Sequence, residues 1–168
     1  YFLSTKTMQS WLDNLDLIIK SRTPLIWIKT KEEERLYKFL KSTCSRLNKK
    51  RIISWDCVNG LRGSLNEEKK FTNNPLGILN WIKDQSNEVS TILIIKDFHK
   101  FYDDPNISRT IKELSYSLKE TTHNLIFSSH VYPSSDELDE LLTIIDLPLP
   151  DQIELKALLK NIAINSDS

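Results

Sequence analysis

Between Leu25 and Ile28, and again between Ile92 and Ile95, the chain runs through four consecutive apolar residues with no polar alternation. A strand that faces water on one side alternates polar and apolar residues, so an unbroken apolar run marks a strand covered on both faces. Leu125–Phe127 repeats the pattern in shorter form, and Arg51–Trp55 and Thr143–Asp146 read as two further strands. The segments between these runs carry apolar residues at helical spacing: Leu36, Phe39, Leu40 and Leu47; Leu79 and Ile82; Ile107, Ile111, Leu114 and Leu118. Five short strands alternating with helices predict an α/β fold, a five-stranded parallel sheet with helices on both faces.

The helix boundaries have chemical markers. Trp11, Leu12, Leu15, Ile18 and Ile19 share one face of an opening helix. Thr30 and Glu33 have the spacing of a capping box. Asn74-Pro75 and Asp104-Pro105 each place a capping side chain before a proline at the first helical position. A short acidic helix is expected over Ser135–Leu142, and Asp151 with Glu154 caps a last helix carrying Leu155, Leu158, Leu159 and Ile162. Gly60 and Gly63 are assigned to a loop, and the polar stretch Ser64–Asn74 is expected to be the most mobile part.

Ligands of such sheets bind beyond the carboxyl ends of the strands, which directs attention to the turn after the first one. A phosphate-binding loop there needs G-x-x-x-x-G-K-[ST], because glycines let backbone N–H groups wrap the phosphates. The turn is instead Lys29-Thr30-Lys31-Glu32-Glu33-Glu34, and the only three glycines, Gly60, Gly63 and Gly77, lie elsewhere. Three carboxylates at a helix start would meet an incoming phosphate like charge to like charge.

The third strand ends Ile94-Ile95-Lys96-Asp97-Phe98, an apolar run followed by an acid. Asp97 holds the position of a Mg²⁺-binding Walker B aspartate, but Phe98 stands where a water-activating Glu is usual. Ser128 and Ser129 end the fourth strand where a polar sensor residue would sit. Asp103 adds a carboxylate nearby, and Asp104 is accounted for as a cap. His99, His123 and His130 show no ligand spacing along the chain, so no metal site and no catalytic residue are expected. Cys44 and Cys57 are expected to be reduced thiols.

Three segments together, Pro24–Leu36, Lys96–Pro105 and Asp146–Asp151, resemble the AAA+ proteins encoded as a hypothetical chloroplast reading frame in cyanobacteria and red-algal plastids. The resemblance runs from about Leu12 to Ile162. It implies a degenerate AAA+ core with strand order 5-1-4-3-2 and no phosphate-binding loop, followed in the longer protein by a second core with an intact one. It also implies an N-terminal helix (1–21), the core (22–147) and the start of a lid (148–168). Thr30, Lys31, Asp97 and Ser129 are then vestigial positions. No cofactor is expected in this segment, with ATP and Mg²⁺ reserved for the downstream core. The expected setting is a cyanobacterial cytoplasm or a plastid stroma.

The formal net charge is zero, which disfavours general nucleic-acid binding. Charge is nevertheless segregated: residues 1–70 hold 15 Lys+Arg against 8 Asp+Glu, and residues 71–168 hold 8 against 15. Two oppositely charged sides would suit self-packing or docking to a neighbouring AAA+ core. The leading function is regulation, assembly or partner recognition without catalysis. The alternatives are a nucleotide-binding domain with an unconventional site and a clamp-loader-like module associated with nucleic acid through Lys49-Lys50-Arg51. No apolar run is long enough to span a membrane.

Overall fold

The computed structural model describes residues 8–49, 51–63 and 70–166. Its elements in chain order are α1 (Met8–Lys20), β1 (Leu25–Lys29), α2 (Glu33–Arg46), β2 (Arg51–Asp56), β3 (Gly60–Arg62), α3 (Pro75–Lys83), β4 (Thr91–Lys96), α4 (Pro105–Ser117), β5 (Asn124–Ser129), β6 (Thr143–Asp146) and α5 (Gln152–Ser166).

The apolar strands are covered on both sides, and the strand period of two divides each between two cores. Leu25, Trp27, Leu93, Ile95, Leu125 and Phe127 point to the side packed by α3 and α4. Ile26, Ile28, Ile92, Ile94 and Ile126 point to the other, where Trp11, Leu15 and Ile19 of α1 meet Leu36 and Leu40 of α2. Helices therefore cover both faces. Each fully buried Leu, Ile or Phe contributes roughly 1.5–3 kcal/mol. The opening helix is thus part of the core, not an appendage to it.

The sheet corrects the expectation of five parallel strands. It has six, in the order β3-β2-β4-β5-β1-β6. The extra strand is β3, which pairs antiparallel with β2 from the supposed loop around Gly60. Asp56 makes this hairpin by accepting the backbone N–H groups of Val58 and Asn59, at 3.0 and 2.7 Å. Gly60 then adopts a φ of 68°, open to glycine without strain. The other five strands are parallel and run β6-β1-β5-β4-β2, the succession expected for them.

Two local expectations fail. Thr30 does not cap α2: its hydroxyl accepts the N–H of Glu32 at 2.9 Å, and Glu32 is the N-cap with no side-chain cap bond. Residues 136–141 form turns rather than a helix, organised by Asp139, which accepts from Tyr132, Ser134 and the backbone of Ser135. The caps by Asn74, Asp104 and Asp151 are present as read. Of the stretch expected to be mobile, residues 64–69 lie outside the described residues. Its end is anchored: the Trp55 indole N–H donates to the Phe71 carbonyl at 2.9 Å.

Candidate functional site

β1, β4 and β5 end side by side, and short backbone bonds lock the turns that leave them. The Thr30 N–H donates to the Ser129 carbonyl and the Asp97 N–H to the Ser128 carbonyl, both at 2.8 Å. Ser129 turns its hydroxyl onto the Val131 carbonyl, which fixes the backbone either side of His130. The result is a cavity of about 250 Å³ lined by Thr30, Lys31, Glu33, Asp97, Ser129 and His130, among others. All four positions singled out as vestigial thus meet in one place. The cavity lies below the roughly 300–1,000 Å³ usual for small-molecule sites.

Ion pairs surround it, one of them through Glu33 of its lining. Lys96 reaches Glu33 at 3.3 Å, and Lys29 reaches Asp146 at 3.4 Å. Arg35, on the first turn of α2, contacts Glu32 at 2.6 Å, the Pro148 carbonyl at 2.7 Å and Glu154 at 2.6 Å. Burial opposes charge on Arg35, yet the hydrogen bonds to Glu154 and Glu32 outweigh it and raise its pKa. The start of α2 is therefore occupied by its own carboxylates and by the arginine that pairs with them.

The residue after Asp97 is committed to packing. Phe98 is fully buried and stacks on Phe127 with ring centroids 4.4 Å apart. It offers no group that could activate a water. Asp97 itself sits in the left-handed region at φ 54°, which Asp and Asn tolerate better than other side chains.

The histidines divide in a way their spacing does not reveal. His123 is buried at the far end of β5, with Nδ1 accepting the Thr91 N–H. His99 and His130 instead meet edge to face at 4.9 Å, and both lie beside Asp97. Burial, with the neighbouring His130 second, lowers the pKa of His99. No ligand spacing along the chain marks these two, yet folding brings one ring nitrogen of each close to the Asp97 carboxylate. Thirty-one positions separate them in the chain, and only the β4–β5 pairing brings them together. Among the described residues Cys44 and Cys57 are free thiols, and burial raises the pKa of Cys44.

A mostly parallel sheet of this order, with β3 antiparallel at its edge and helices on both faces, defines an AAA-type α/β domain. The structure of C. elegans PCH-2 shares the fold over 94% of this chain and 47% of that one, with a TM-score of 0.63 at 10% identity. The family model for the SpoVK-like AAA ATPase N-terminal domain matches residues 11–147, and the chain belongs to that family. It is 31% identical over 147 residues to the uncharacterized AAA domain-containing protein ycf46 of Pyropia yezoensis, covering 88% of this chain and 30% of that protein. The protein of the same description from Trieres chinensis is 35% identical over 144 residues, covering 85% and 29%. The chain thus spans about a third of the length of the curated relatives it matches. No helix among the described residues is long and apolar enough to cross a membrane.

Proposed function

We propose that this chain is a degenerate AAA+-like domain of a longer AAA+ protein, which neither binds nor hydrolyses ATP and serves regulation, assembly or partner recognition. The observation that carries the reading is the start of α2. Where a triphosphate would need glycine N–H groups and a lysine, Glu32, Glu33 and Glu34 stand, with Arg35 bound to Glu32 and Glu154. The buried Phe98 supports the same reading.

In this reading ATP and Mg²⁺ belong to a downstream core, and the domain positions or restrains that core. The compartment is a cyanobacterial cytoplasm or a plastid stroma. The partner is a neighbouring AAA+ core or a second copy, met through the oppositely charged sides. Calorimetry of the chain with ATP and Mg²⁺ tests the central claim. No heat of binding is expected at micromolar concentrations. Micromolar binding that is abolished by Lys31→Ala or Asp97→Asn would overturn it.

A further inference from the structure

The carboxylate of Asp97 and one ring nitrogen each of His99 and His130 lie within 4.8 Å of one another. We propose that these three side chains form a Zn²⁺ site that clips the end of β4 to the end of β5. The site is independent of any nucleotide and reverses the expectation from the sequence that no metal binds here.

Three features of the group support this. Two imidazoles and a carboxylate suit a borderline first-row cation, whereas Mg²⁺ and Ca²⁺ favour all-oxygen surroundings. The ligand atoms need little movement. Around tetrahedral Zn²⁺ at about 2.0–2.2 Å, they would stand roughly 3.3–3.6 Å apart. His130 is exposed and can close the difference by rotating, while Asp97 is held by its backbone bond to Ser128. The third feature is a missing partner: Nδ1 of His99 is buried and makes no hydrogen bond. A buried polar atom without a partner is disfavoured unless something binds it, and it is one of the two lone-pair sites a histidine offers a metal.

Three protein ligands leave a fourth position for water, and two of the ligands, Asp97 and His130, line the cavity with Thr30 and Ser129. The clip adds to the backbone bonds, the packing and the Tyr102–Tyr132 hydroxyl contact that already join the segments leaving these two strands. Metal binding would therefore stiffen the rim of the cavity without contributing to phosphate chemistry.

The test uses the tag-free chain, because a polyhistidine tag would supply competing ligands. Co²⁺ is titrated and followed by its visible d–d absorption, and Zn²⁺ is then added to displace it. One Co²⁺ per chain with four-coordinate intensity is expected. His130→Ala and Asp97→Asn should each weaken binding at least tenfold, and Cys57→Ser should leave it unchanged. Asparagine keeps the left-handed backbone at 97, and His130 is exposed, so both variants should retain the wild-type far-ultraviolet circular dichroism. With Zn²⁺ at a hundredfold its Kd, the melting temperature should rise by about 5–10 °C in the wild type and not in the variants. Unchanged Co²⁺ binding in His130→Ala and Asp97→Asn, or its loss in Cys57→Ser, would overturn the proposal. So would the absence of a one-to-one complex.

Discussion

The guanidinium of Arg35 grips the carboxylate of Glu154 in two places, Nε at 2.6 Å from Oε1 and Nη2 at 2.9 Å from Oε2. The two residues are 119 positions apart in the chain, and both are largely shielded from water. The same guanidinium holds the Pro148 carbonyl, so one side chain fastens both the entry to α5 and its first turn onto α2. No residue of α5 is buried, so this clasp is the main polar anchor of the helix.

Arg35→Ala should therefore loosen α5 without unfolding the core. A charge-assisted pair of this kind is worth about 1–2 kcal/mol, which corresponds to about 5–30-fold in an opening equilibrium. Limited proteolysis within α5 should accelerate by that factor, while the urea midpoint read from core tryptophan fluorescence moves little. Equal cleavage rates in the two proteins would show that the clasp is not what holds α5.

Trp27 tests the core. It is fully buried on β1 and touches Phe98, Tyr102, Phe127 and Tyr132, yet its indole N–H has no hydrogen-bond partner. Trp27→Ala should cost about 3–5 kcal/mol through the cavity it leaves. Trp27→Phe should cost less than about 2 kcal/mol, since it removes ring volume but also an N–H that is buried without a partner. Urea denaturation followed by far-ultraviolet circular dichroism distinguishes the two, and equal losses would contradict the assignment.

The strands and the covered faces were legible because double burial leaves its mark on consecutive residues, as in Ile92–Ile95. β3 was not, since three residues carry no periodicity. Its signal was Gly60, the left-handed glycine that closes a three-residue hairpin loop, after an aspartate able to bond the turn. The acidic stretch from Ser135 has helical spacing, but Asp139 binds neighbouring donors and so competes with a helix ladder. Thr30 failed as a cap for a similar reason, because its hydroxyl reaches the N–H two residues on. The meeting of Asp97, His99 and His130 depends on which strands are neighbours, and no local spacing encodes that.

His123 gives the fold a defined response to acid. Its Nδ1 accepts the Thr91 N–H at 3.2 Å, so Nε2 carries the proton and faces the Gln85 carbonyl at 3.3 Å. Burial lowers its pKa from the ordinary 6.5; the Gln85 carbonyl opposes this, and Arg51 and Lys49 reinforce it. Below about pH 6.5 the unfolded chain takes up a proton that the folded one refuses. Stability is then at its full value above pH 6.5 and falls as the pH drops toward the folded pKa, by at most about 1.4 kcal/mol per pH unit for each such histidine. His99, also lowered, adds a contribution of the same sign. Between about pH 7.5 and about pH 5.5 the urea midpoint should drop, and it should drop less in His123→Gln. The same pH dependence in both proteins would remove His123 as a cause.

The helix α5 leaves large apolar side chains in water. Leu155 and Leu158 are each 47% exposed, Leu159 is 66% and Ile162 is 64% exposed. So many large apolar side chains on one helix form a surface that soluble domains usually cover. The sheet core offers no cover, because α5 is fastened by Arg35 at its start rather than packed along its length. The curated relatives are about three times as long as the segment they share with this chain. If a following segment completes a small helical lid around α5, Leu159→Glu will have opposite consequences in two settings. In the present chain the side chain already faces water, and the substitution should change stability by less than about 0.5 kcal/mol. In the full-length gene product the same substitution would bury a charge in the lid and should cost about 2 kcal/mol or more. Thermal unfolding of both pairs of proteins makes the comparison. A substitution as harmless in the longer protein as in the shorter one would mean that the face stays open for a separate partner, and the lid would have to be abandoned.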